Sequence, residues 1–310
     1  FMKLLVIGTV AFDAIETPFG KVERIEGGAA NYISLAASFF SKNIHLVSVI
    51  GRDFDQDYVN MLETRGINTA GLERKENQDS FFWSGRYHMD MNTRDTLATE
   101  LNVLADFNPV VPNHAKDADI VMLGNLTPQI QKKVLEQMDN SKKLVVMDTM
   151  NFWMDTQWEA LMDVLQYIDV LTINDEEARQ LSGEYSLIKA ANKIFNMGPK
   201  TLIIKKGEHG ALLFHDHHVF FAPALPLEDV FDPTGAGDTF AGGFVGYLAR
   251  TQNLSFDNMK NAIIYGSAMA SFCVEKFGPN KLIELQRAEI NERIKDFVNL
   301  VQFDIDLVED

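Results

Sequence analysis

One segment organises this chain: Asp232-Pro-Thr-Gly-Ala-Gly-Asp238-Thr-Phe-Ala-Gly-Gly-Phe-Val-Gly-Tyr-Leu248. It begins with turn-forming residues and continues into an apolar run in which Phe240 and Phe244 recur with helical spacing. The pattern predicts a helix that starts at Gly235-Ala-Gly237, where missing or small side chains let a ligand approach the backbone closely. The first N–H groups of such a helix have no intrahelical acceptor, so they attract anions, and phosphate above all.

The carboxylate of Asp238 directly follows this anion-binding helix start. There it is favourable for the helix dipole, and it can also take the proton of a hydroxyl group during phosphoryl transfer. A purely structural interpretation remains open, in which Gly-Ala-Gly is a tight turn and Asp238 caps the helix. Gly242 and Gly243 lie inside the predicted helix, where each costs roughly 1 kcal/mol relative to alanine. Their presence indicates that a ligand or a neighbouring strand approaches the helix backbone.

The Asp-Pro-Thr-Gly-Ala-Gly-Asp segment resembles the C-terminal signature of the ribokinase-like, or pfkB, family of carbohydrate and nucleoside kinases. The resemblance implies that the amides of Gly235, Ala236 and Gly237 form an anion hole for the transferred phosphate, and that Asp238 is the catalytic base. It also implies ATP and Mg²⁺ as cofactors and a sugar or nucleoside as the acceptor. The resemblance covers nearly the whole chain, and this segment is its most specific part.

Composition limits the classes of protein to which this chain can belong. Its 310 residues are 46% hydrophobic and 23% charged, which suits one α/β domain or two small ones. The net charge of −16 argues against a nucleic-acid-binding surface, which needs a basic face. No apolar run reaches the ~18 residues of a membrane span. The single cysteine, Cys273, can form no internal disulfide, so we expect a cytoplasmic protein. From the charge and the apolar runs we expect neither nucleic-acid nor membrane partners.

Short apolar runs alternate with helical segments along most of the chain. The runs are Leu4–Gly8, Leu46–Ile50, Ile120–Leu123, Leu144–Met147, Val170–Ile173 and Leu202–Lys205. This alternation predicts an α/β fold with a doubly wound, mostly parallel sheet flanked by helices, and the resemblance implies that it is ribokinase-like. We expect a single domain over residues 1–310, in which segments 14–26 and 79–106 form a small β lid. Exposed lid strands need covering, so we also expect a homodimer that pairs through the lid.

The acceptor site is predicted near the first strand. Asp13 follows that strand on the side where open α/β sheets bind ligands. Gly27 and Gly28 precede a predicted helix, and Asn31 can both donate and accept a hydrogen bond. Loop chemistry alone can also explain Asp13, and two glycines before a helix are a common pattern. The resemblance implies that Asp13 holds sugar hydroxyls, and that Gly27, Gly28 and Asn31 belong to the same site.

Two groups of residues are candidates for metal binding. The resemblance implies that Asn174 and Glu177 order Mg²⁺, its waters and the ATP phosphates. The two residues also have the spacing of a helix capping pair, and both roles can hold together. In part of the family a monovalent cation, such as K⁺, lies next to the anion hole. The resemblance would give Asp232 and the backbone near Thr234 and Phe277 that function.

The nucleotide site is predicted on two later segments. Lys206, Gly207 and Gly210 follow an apolar run, and the resemblance implies that they line the nucleotide site, although the pattern alone is that of a hairpin loop. Ser267 lies on a predicted helix against which the resemblance would place adenine. The histidine-rich segment His215-Asp-His-His218 is a polar hairpin tip in preference to a metal site, because metal ligands need supporting residues from elsewhere.

The motifs that the sequence carries and lacks separate several candidate functions. A nicotinamide-dependent oxidoreductase would carry Gly-x-Gly-x-x-Gly after the first strand, and a P-loop kinase would carry Gly-x-x-x-x-Gly-Lys-Ser/Thr; neither motif occurs. The main hypothesis is ATP-dependent transfer of the γ-phosphate to a sugar hydroxyl. A nucleoside kinase of the same family and a non-catalytic sugar-binding regulator are the alternatives. Ribokinases differ at Ala11, at Thr127 and in the first glycine loop, so the acceptor and the hydroxyl that is phosphorylated stay open.

Overall fold

The computed structural model describes residues 1–302 and 304, so the end of the predicted 1–310 domain lies outside it. The strands in this part of the chain are β1 (Leu4–Ile7), β2 (Ala11–Thr17), β3 (Gly20–Gly27), β4 (Ile44–Gly51), β5 (Ile67–Lys75), β6 (Phe82–Tyr87), β7 (Arg94–Glu100), β8 (Ile120–Leu123), β9 (Leu144–Asp148), β10 (Val170–Asn174), β11 (Thr201–Lys205), β12 (Ala211–His215) and β13 (His218–Ala222).

The α-helices of the same residues are α1 (Ala29–Ala37), α2 (Gln56–Thr64), α3 (Pro128–Gln137), α4 (Asn151–Thr156), α5 (Trp158–Leu165), α6 (Asp175–Ser182), α7 (Leu187–Phe195), α8 (Ala236–Thr251), α9 (Phe256–Cys273), α10 (Asn280–Glu284) and α11 (Arg287–Val301). None of the helices in the described chain has the length and apolar character needed to cross a membrane.

The larger sheet has nine strands in the order β13-β12-β11-β10-β9-β8-β1-β4-β5. Strands β1, β4, β5 and β8 to β11 pair in parallel, whereas β12 and β13 form an antiparallel extension at one edge. The carboxyl ends of the parallel strands therefore meet at one edge of the sheet. This arrangement confirms the predicted α/β fold with a mostly parallel, doubly wound sheet.

Alternating side chains of the central strands feed two hydrophobic cores, one on each face of the sheet. On β1, Leu4 and Val6 pack into the core beneath α1, α8 and α9. Leu5 and Ile7 pack into the core on the opposite face. Each of these side chains is fully buried, which stabilises the fold by about 1.5–3 kcal/mol per residue. A strand buried on both faces explains why the sequence shows a continuous apolar run there.

The glycines inside α8 allow close packing between helices. A Cβ atom on Gly243 would lie 3.0 Å from the Cα atom of Gly266 in α9, and one on Gly242 would collide with the Ile33 carbonyl oxygen in α1. The expectation that a ligand or a strand approaches these glycines is therefore wrong. The helix is approached on two sides by other helices, which sequence spacing alone does not reveal.

A second sheet of four strands, in the order β3-β2-β6-β7, stands apart from the nine-stranded one. Strands β2 and β3 form an antiparallel hairpin, β2 pairs in parallel with β6, and β6 pairs antiparallel with β7. Its small core contains Ile15, Ile25 and Tyr87. These strands fall largely within segments 14–26 and 79–106. The residues of β7 are exposed along most of the strand. We refer to the four strands below as the small sheet.

Candidate active site

Neighbouring strands bring three polar side chains together at the carboxyl edge of the large sheet. Asp148 ends β9, Asn174 ends β10 and Lys205 ends β11, and these three strands are adjacent. The Nζ atom of Lys205 lies 3.2 Å from Oδ2 of Asp148, and both side chains are largely buried. A buried ion pair is therefore fixed where an α/β sheet of this type binds its ligands.

The N-terminus of α8 points toward this ion pair. Gly235 is the N-cap residue, and its φ of 74° is one that glycine adopts at little cost. No side chain among the described residues caps the helix there, and the helix provides no intrahelical acceptor for the N–H groups of Gly237 and Asp238. The Ala236 N–H is used within the turn, where it donates to the Pro233 carbonyl oxygen at 3.2 Å. The free N–H groups make this helix start a suitable phosphate site.

Gly237 lies directly against the ion pair. A Cβ atom built on this residue would come within 3.0 Å of the Lys205 Nζ atom, whereas a Cβ atom on Gly235 would collide with the Tyr32 ring. The anion-binding helix start and the Lys205 ammonium group therefore border the same space. An anion bound there would contact both, which is the arrangement that a phosphate group requires.

Burial and charge shift the protonation of the carboxyl groups around Lys205. Burial, followed by the charge of Asp148, raises the pKa of both Asp238 and Glu177 to about 7, although Lys205 and Arg94 act in the opposite direction. Burial would lower the pKa of Lys205, but Asp148, Glu177 and Asp238 outweigh it and raise that pKa. Asp238 thus has a pKa near neutrality, which suits a group that accepts a proton during turnover.

Glu177 and Asn174 form the predicted capping box at the start of α6. The Asn174 N–H donates to Glu177 Oε2 and the Glu177 N–H donates to Asn174 Oδ1, each at 2.8 Å. Among the described residues no group of three or more metal-ligating side chains occurs. Mg²⁺ usually needs only one or two carboxylates, because phosphate oxygens and waters complete its coordination. The carboxyl groups of Glu177 and Asp148 fit that requirement.

Asp13 lies in β2 of the small sheet, close to the start of α8. Its side chain is 5% exposed, and a Cβ atom on Gly27 would collide with its carboxylate. Burial, followed by the charges of Asp232 and Asp238, raises the pKa of Asp13 to about 7. Gly28, with a φ of 91°, caps α1 beside it. The structure therefore brings the predicted acceptor residue Asp13 near the predicted base, Asp238.

Asn31 occupies a different environment from that expected of a ligand-binding residue. Its side chain is 0% exposed, and both ends of its amide hydrogen-bond to the hydroxyl group of Tyr58, at 2.9 and 3.1 Å. In this arrangement Asn31 joins α1 to α2. Its role in binding the acceptor stays a prediction.

The loop after β11 holds the residues predicted for the nucleotide site. The Lys206 N–H donates to the Gly210 carbonyl oxygen at 2.8 Å, which closes the loop around Gly207. Gly207 has a φ of 54°, and a Cβ atom on it would lie 2.8 Å from Oδ1 of Asn92, between β6 and β7. Ser267, the remaining residue predicted to bind nucleotide, is 9% exposed on α9.

The small sheet contacts both sides of the site. On one side, Asn92 approaches the loop after β11. On the other, the Thr234 hydroxyl donates to the Tyr87 hydroxyl at 3.2 Å. Thr234 belongs to the loop that leads into α8, and Tyr87 pairs with Arg94 across β6 and β7. The positive charge of Arg94 acts to lower the pKa of Glu177 and Asp238.

The Asp232 carboxylate organises the loop before α8. It is 1% exposed; Oδ1 accepts a hydrogen bond from the Thr234 N–H and Oδ2 from the Gly278 N–H, each at 2.8 Å. Each oxygen keeps a second lone pair, so a monovalent cation with backbone carbonyl ligands fits these residues. The segment from His215 to His218 forms the β12–β13 hairpin, as predicted.

Comparison with known proteins identifies the family. Residues 2–285 match the family described as pfkB family carbohydrate kinase. This chain belongs to the pfkB family. It is therefore a kinase that transfers a phosphoryl group from ATP to an alcohol, and the predicted family and enzyme class are confirmed.

Relatives of this pfkB-family kinase cover most of its length. It is 26% identical over 257 residues to the cytidine kinase of Thermococcus kodakarensis, and the aligned region covers 82% of this chain and 91% of that protein. It is 27% identical over 308 residues to a nucleoside kinase of Methanothermobacter thermautotrophicus, with coverage of 89% and 90%. In fold it is similar to a putative ribokinase II from E. coli in complex with ATP and Mg²⁺, with a TM-score of 0.79, 19% identity and coverage of 95% and 99%.

Neither member of the buried ion pair is among the site residues that the sequence predicts. Asp148 lies at the end of a predicted strand on the ligand side, and Lys205 ends an apolar run. The only available signal was a charged residue at the last position of each strand. Its meaning depends on which strands are neighbours, and the sheet order provides that information.

Proposed function

We propose that this kinase moves the γ-phosphoryl group of ATP to a hydroxyl of a sugar, and that the sugar is the ribosyl part of a nucleoside. The observation that carries the catalytic assignment is the start of α8, where Asp238 and free N–H groups lie beside Lys205. Asp238 takes the hydroxyl proton as the acceptor oxygen bonds to the γ-phosphorus. The bond from that phosphorus to the bridging oxygen breaks, and ADP leaves.

The transferred phosphoryl group is held by Gly237, Asp238 and Lys205. The backbone N–H groups act as the electrostatic donors, and each donor of this kind is worth about 2.7–4 kcal/mol in comparable sites. Gly235 and Ala236 shape the loop that aims these donors. Arg94 adds positive charge from the small sheet, which we propose is a lid on a single kinase domain.

Glu177 and Asp148 would hold Mg²⁺ through its waters. When bound, Mg²⁺ neutralises charge on the ATP phosphates. Asn174 keeps Glu177 oriented through the capping box. We assign the nucleotide to Lys206, Gly207, Gly210 and Ser267, and K⁺ to Asp232 with the backbone around Thr234.

Asp13 would bind acceptor hydroxyls, with Gly27, Gly28 and Asn31 shaping that side of the site. Two observations support a nucleoside as the acceptor. Among the relatives that cover more than four fifths of the chain, three are named cytidine kinase or nucleoside kinase, and others are named 2-dehydro-3-deoxygluconokinase and inositol 3-kinase. The carboxyl edge next to β1 also carries Asn125, whose Oδ1 accepts from the Trp153 Nε1–H at 2.8 Å and so holds an indole there. A free sugar is the second candidate, favoured by the family's description as carbohydrate kinases.

A thermal-shift screen separates these two acceptors. Nucleosides and free sugars are each added together with a non-hydrolysable ATP analogue and Mg²⁺. A ligand at ~100 times its dissociation constant stabilises the fold by about 2.7 kcal/mol. We expect the largest shift from a nucleoside, with a smaller one for Asp13→Ala. A larger shift from free sugars would favour the second candidate.

We also propose a homodimer that pairs through the small sheet and a cytoplasmic location. Strand β7 supports the first, because it is an edge strand with mostly exposed side chains. The buried free thiol of Cys273 supports the second. Sedimentation should give a dimer that Leu97→Glu weakens, because the change adds a negative charge to the edge strand, while a monomeric wild type would contradict the pairing.

A further inference from the structure

A cavity of about 370 Å³ lies away from the catalytic centre, where several helices end. Four basic side chains line it: Lys42, Arg65, Arg250 and Arg287. Arg250 lies 12 residues beyond Asp238 on the same helix, since 250 − 238 = 12, which is a rise of about 18 Å. We call this cavity the basic pocket.

Within the part of the chain that the structure describes, these four cations form no ion pair with a carboxylate. The ion pairs recorded for the described residues all involve other basic side chains. This pattern is unexpected in a chain with 44 acidic and 28 basic residues, where carboxylates are in excess. Burial and the neighbouring guanidinium groups of Arg65 and Arg287 lower the pKa of Lys42. The positive charge of the basic pocket is therefore uncompensated by carboxylates.

Backbone carbonyl oxygens offset part of this positive charge. Lys42 donates to the carbonyl oxygens of Ser38 and Arg65, at 3.1 and 2.8 Å, and Arg287 donates to that of Phe39. Helices α1, α2, α8 and α10 end near the pocket. At about half a negative charge each, four helix ends would offset only about two of the four positive charges. A net positive charge remains in the cavity.

We propose that the basic pocket is a second anion site, separate from the catalytic centre, that binds a small molecule bearing phosphate. Arginine side chains match phosphate in geometry as well as charge, because the planar guanidinium donates two parallel hydrogen bonds. The cavity has the size of a small-molecule site, and Phe39 provides an apolar wall on one side. This inference does not depend on the proposed acceptor.

Arg250 provides the cleanest test. In residues 1–302 and 304 its side chain has neither a hydrogen-bond nor an ion-pair partner and is exposed, so its replacement removes charge with little effect on packing. Lys133 on α3 is a matched control, because it is exposed and lies outside the pocket. Gly237→Val serves as a variant whose catalytic anion site is damaged.

Binding of inorganic pyrophosphate is measured by calorimetry for the wild type, Arg250→Glu, Arg250→Gln, Lys133→Glu and Gly237→Val. We expect saturable binding by the wild type, by Lys133→Glu and by Gly237→Val. Loss of one charged hydrogen-bond partner should weaken binding at least about tenfold in Arg250→Glu and measurably in Arg250→Gln. Melting curves check that each variant is folded.

Four results would overturn the proposal. The first is the absence of saturable binding by the wild type. The second is pyrophosphate binding by Arg250→Glu that equals that of the wild type, and the third is binding lost in Gly237→Val alone, since either places the anion at the catalytic centre. The fourth is citrate binding as tight as pyrophosphate binding, because citrate carries carboxylates and no phosphate.

Discussion

Lys205 Nζ lies 3.2 Å from Asp148 Oδ2 at the carboxyl edge of the large sheet. The same ammonium group also influences Glu177 and Asp238, so one buried cation is shared among three carboxyl groups. Burial first, and the charge of Asp148 second, raises the pKa of Glu177 and Asp238 to about 7, and the single ammonium group of Lys205 only partly opposes this. Phosphate binding at the start of α8 would add further negative charge, which is why the cations of Mg²⁺ and Arg94 belong to the proposed mechanism.

The first prediction concerns Lys205→Met. It leaves Asp148 buried without its cation, and breaking a buried pair in this way typically costs about 3–5 kcal/mol. We expect the free energy of unfolding to fall by that amount and turnover to fall as well, because the phosphate loses a contact. Chemical denaturation and steady-state kinetics measure the two effects.

The double variant Lys205→Met with Asp148→Leu separates the effect on stability from the effect on turnover. Replacing both partners by apolar residues should recover most of the stability but none of the turnover. Lys200→Met, an exposed lysine outside the site, is the matched control. Full turnover in the double variant would mean that the pair is only structural.

The second prediction compares two glycines of the anion-binding loop. Gly235 has a φ of 74° and lies against the Tyr32 ring, so Gly235→Ala should destabilise the fold by at least about 1–2 kcal/mol. Gly237 has no such φ, and its Cβ atom would meet the Lys205 side chain, with Nζ at 3.0 Å, which a small shift of the ammonium group can relieve. Gly237→Ala should cost little stability but slow turnover on the order of 10²-fold through displacement of a catalytic group. Equal effects of the two changes on melting temperature and turnover would contradict this division.

The third prediction concerns pH. The pKa of Asp13 is about 7 in the folded protein and ~3.9 in an unfolded chain. Its protonated form is therefore favoured by folding, and the stability that it contributes is complete below about pH 4 and lost as the pH rises through about 7. Asp13→Asn cannot lose a proton, so its melting temperature should fall less than that of the wild type over this interval. The exposed Asp216→Asn should follow the wild type; a parallel decline in Asp13→Asn would refute the buried carboxyl as the cause.

The fourth prediction concerns the monovalent cation. If K⁺ uses the remaining lone pairs of Asp232, it should fix the loop before α8 and increase turnover relative to a bulky organic cation. Initial rates in potassium, sodium and tetramethylammonium salts at equal ionic strength measure the effect, and Asp232→Asn should reduce it. Equal rates in all three salts would remove the cation from the account.

The sequence contained most of the fold. Buried parallel strands are continuous apolar runs, and the run Ile120–Leu123 coincides with β8. The Asn174–Glu177 spacing predicted the capping box that the structure contains. Lys205 and Asn31 show where such prediction ends. The partner of Lys205 is 57 positions away and that of Asn31 is 27 away, so only the folded sheet and helices reveal them.

The most direct test of the central claim is the turnover of Asp238→Asn. Formation of a phosphate monoester from ATP and the best acceptor is followed by ³¹P NMR, and affinity for an ATP analogue is measured separately. We predict that the variant binds the nucleotide nearly as well as the wild type but forms product ~10²–10⁴-fold more slowly, because the acceptor hydroxyl has lost its base. Product formation by Asp238→Asn at the wild-type rate would contradict the account.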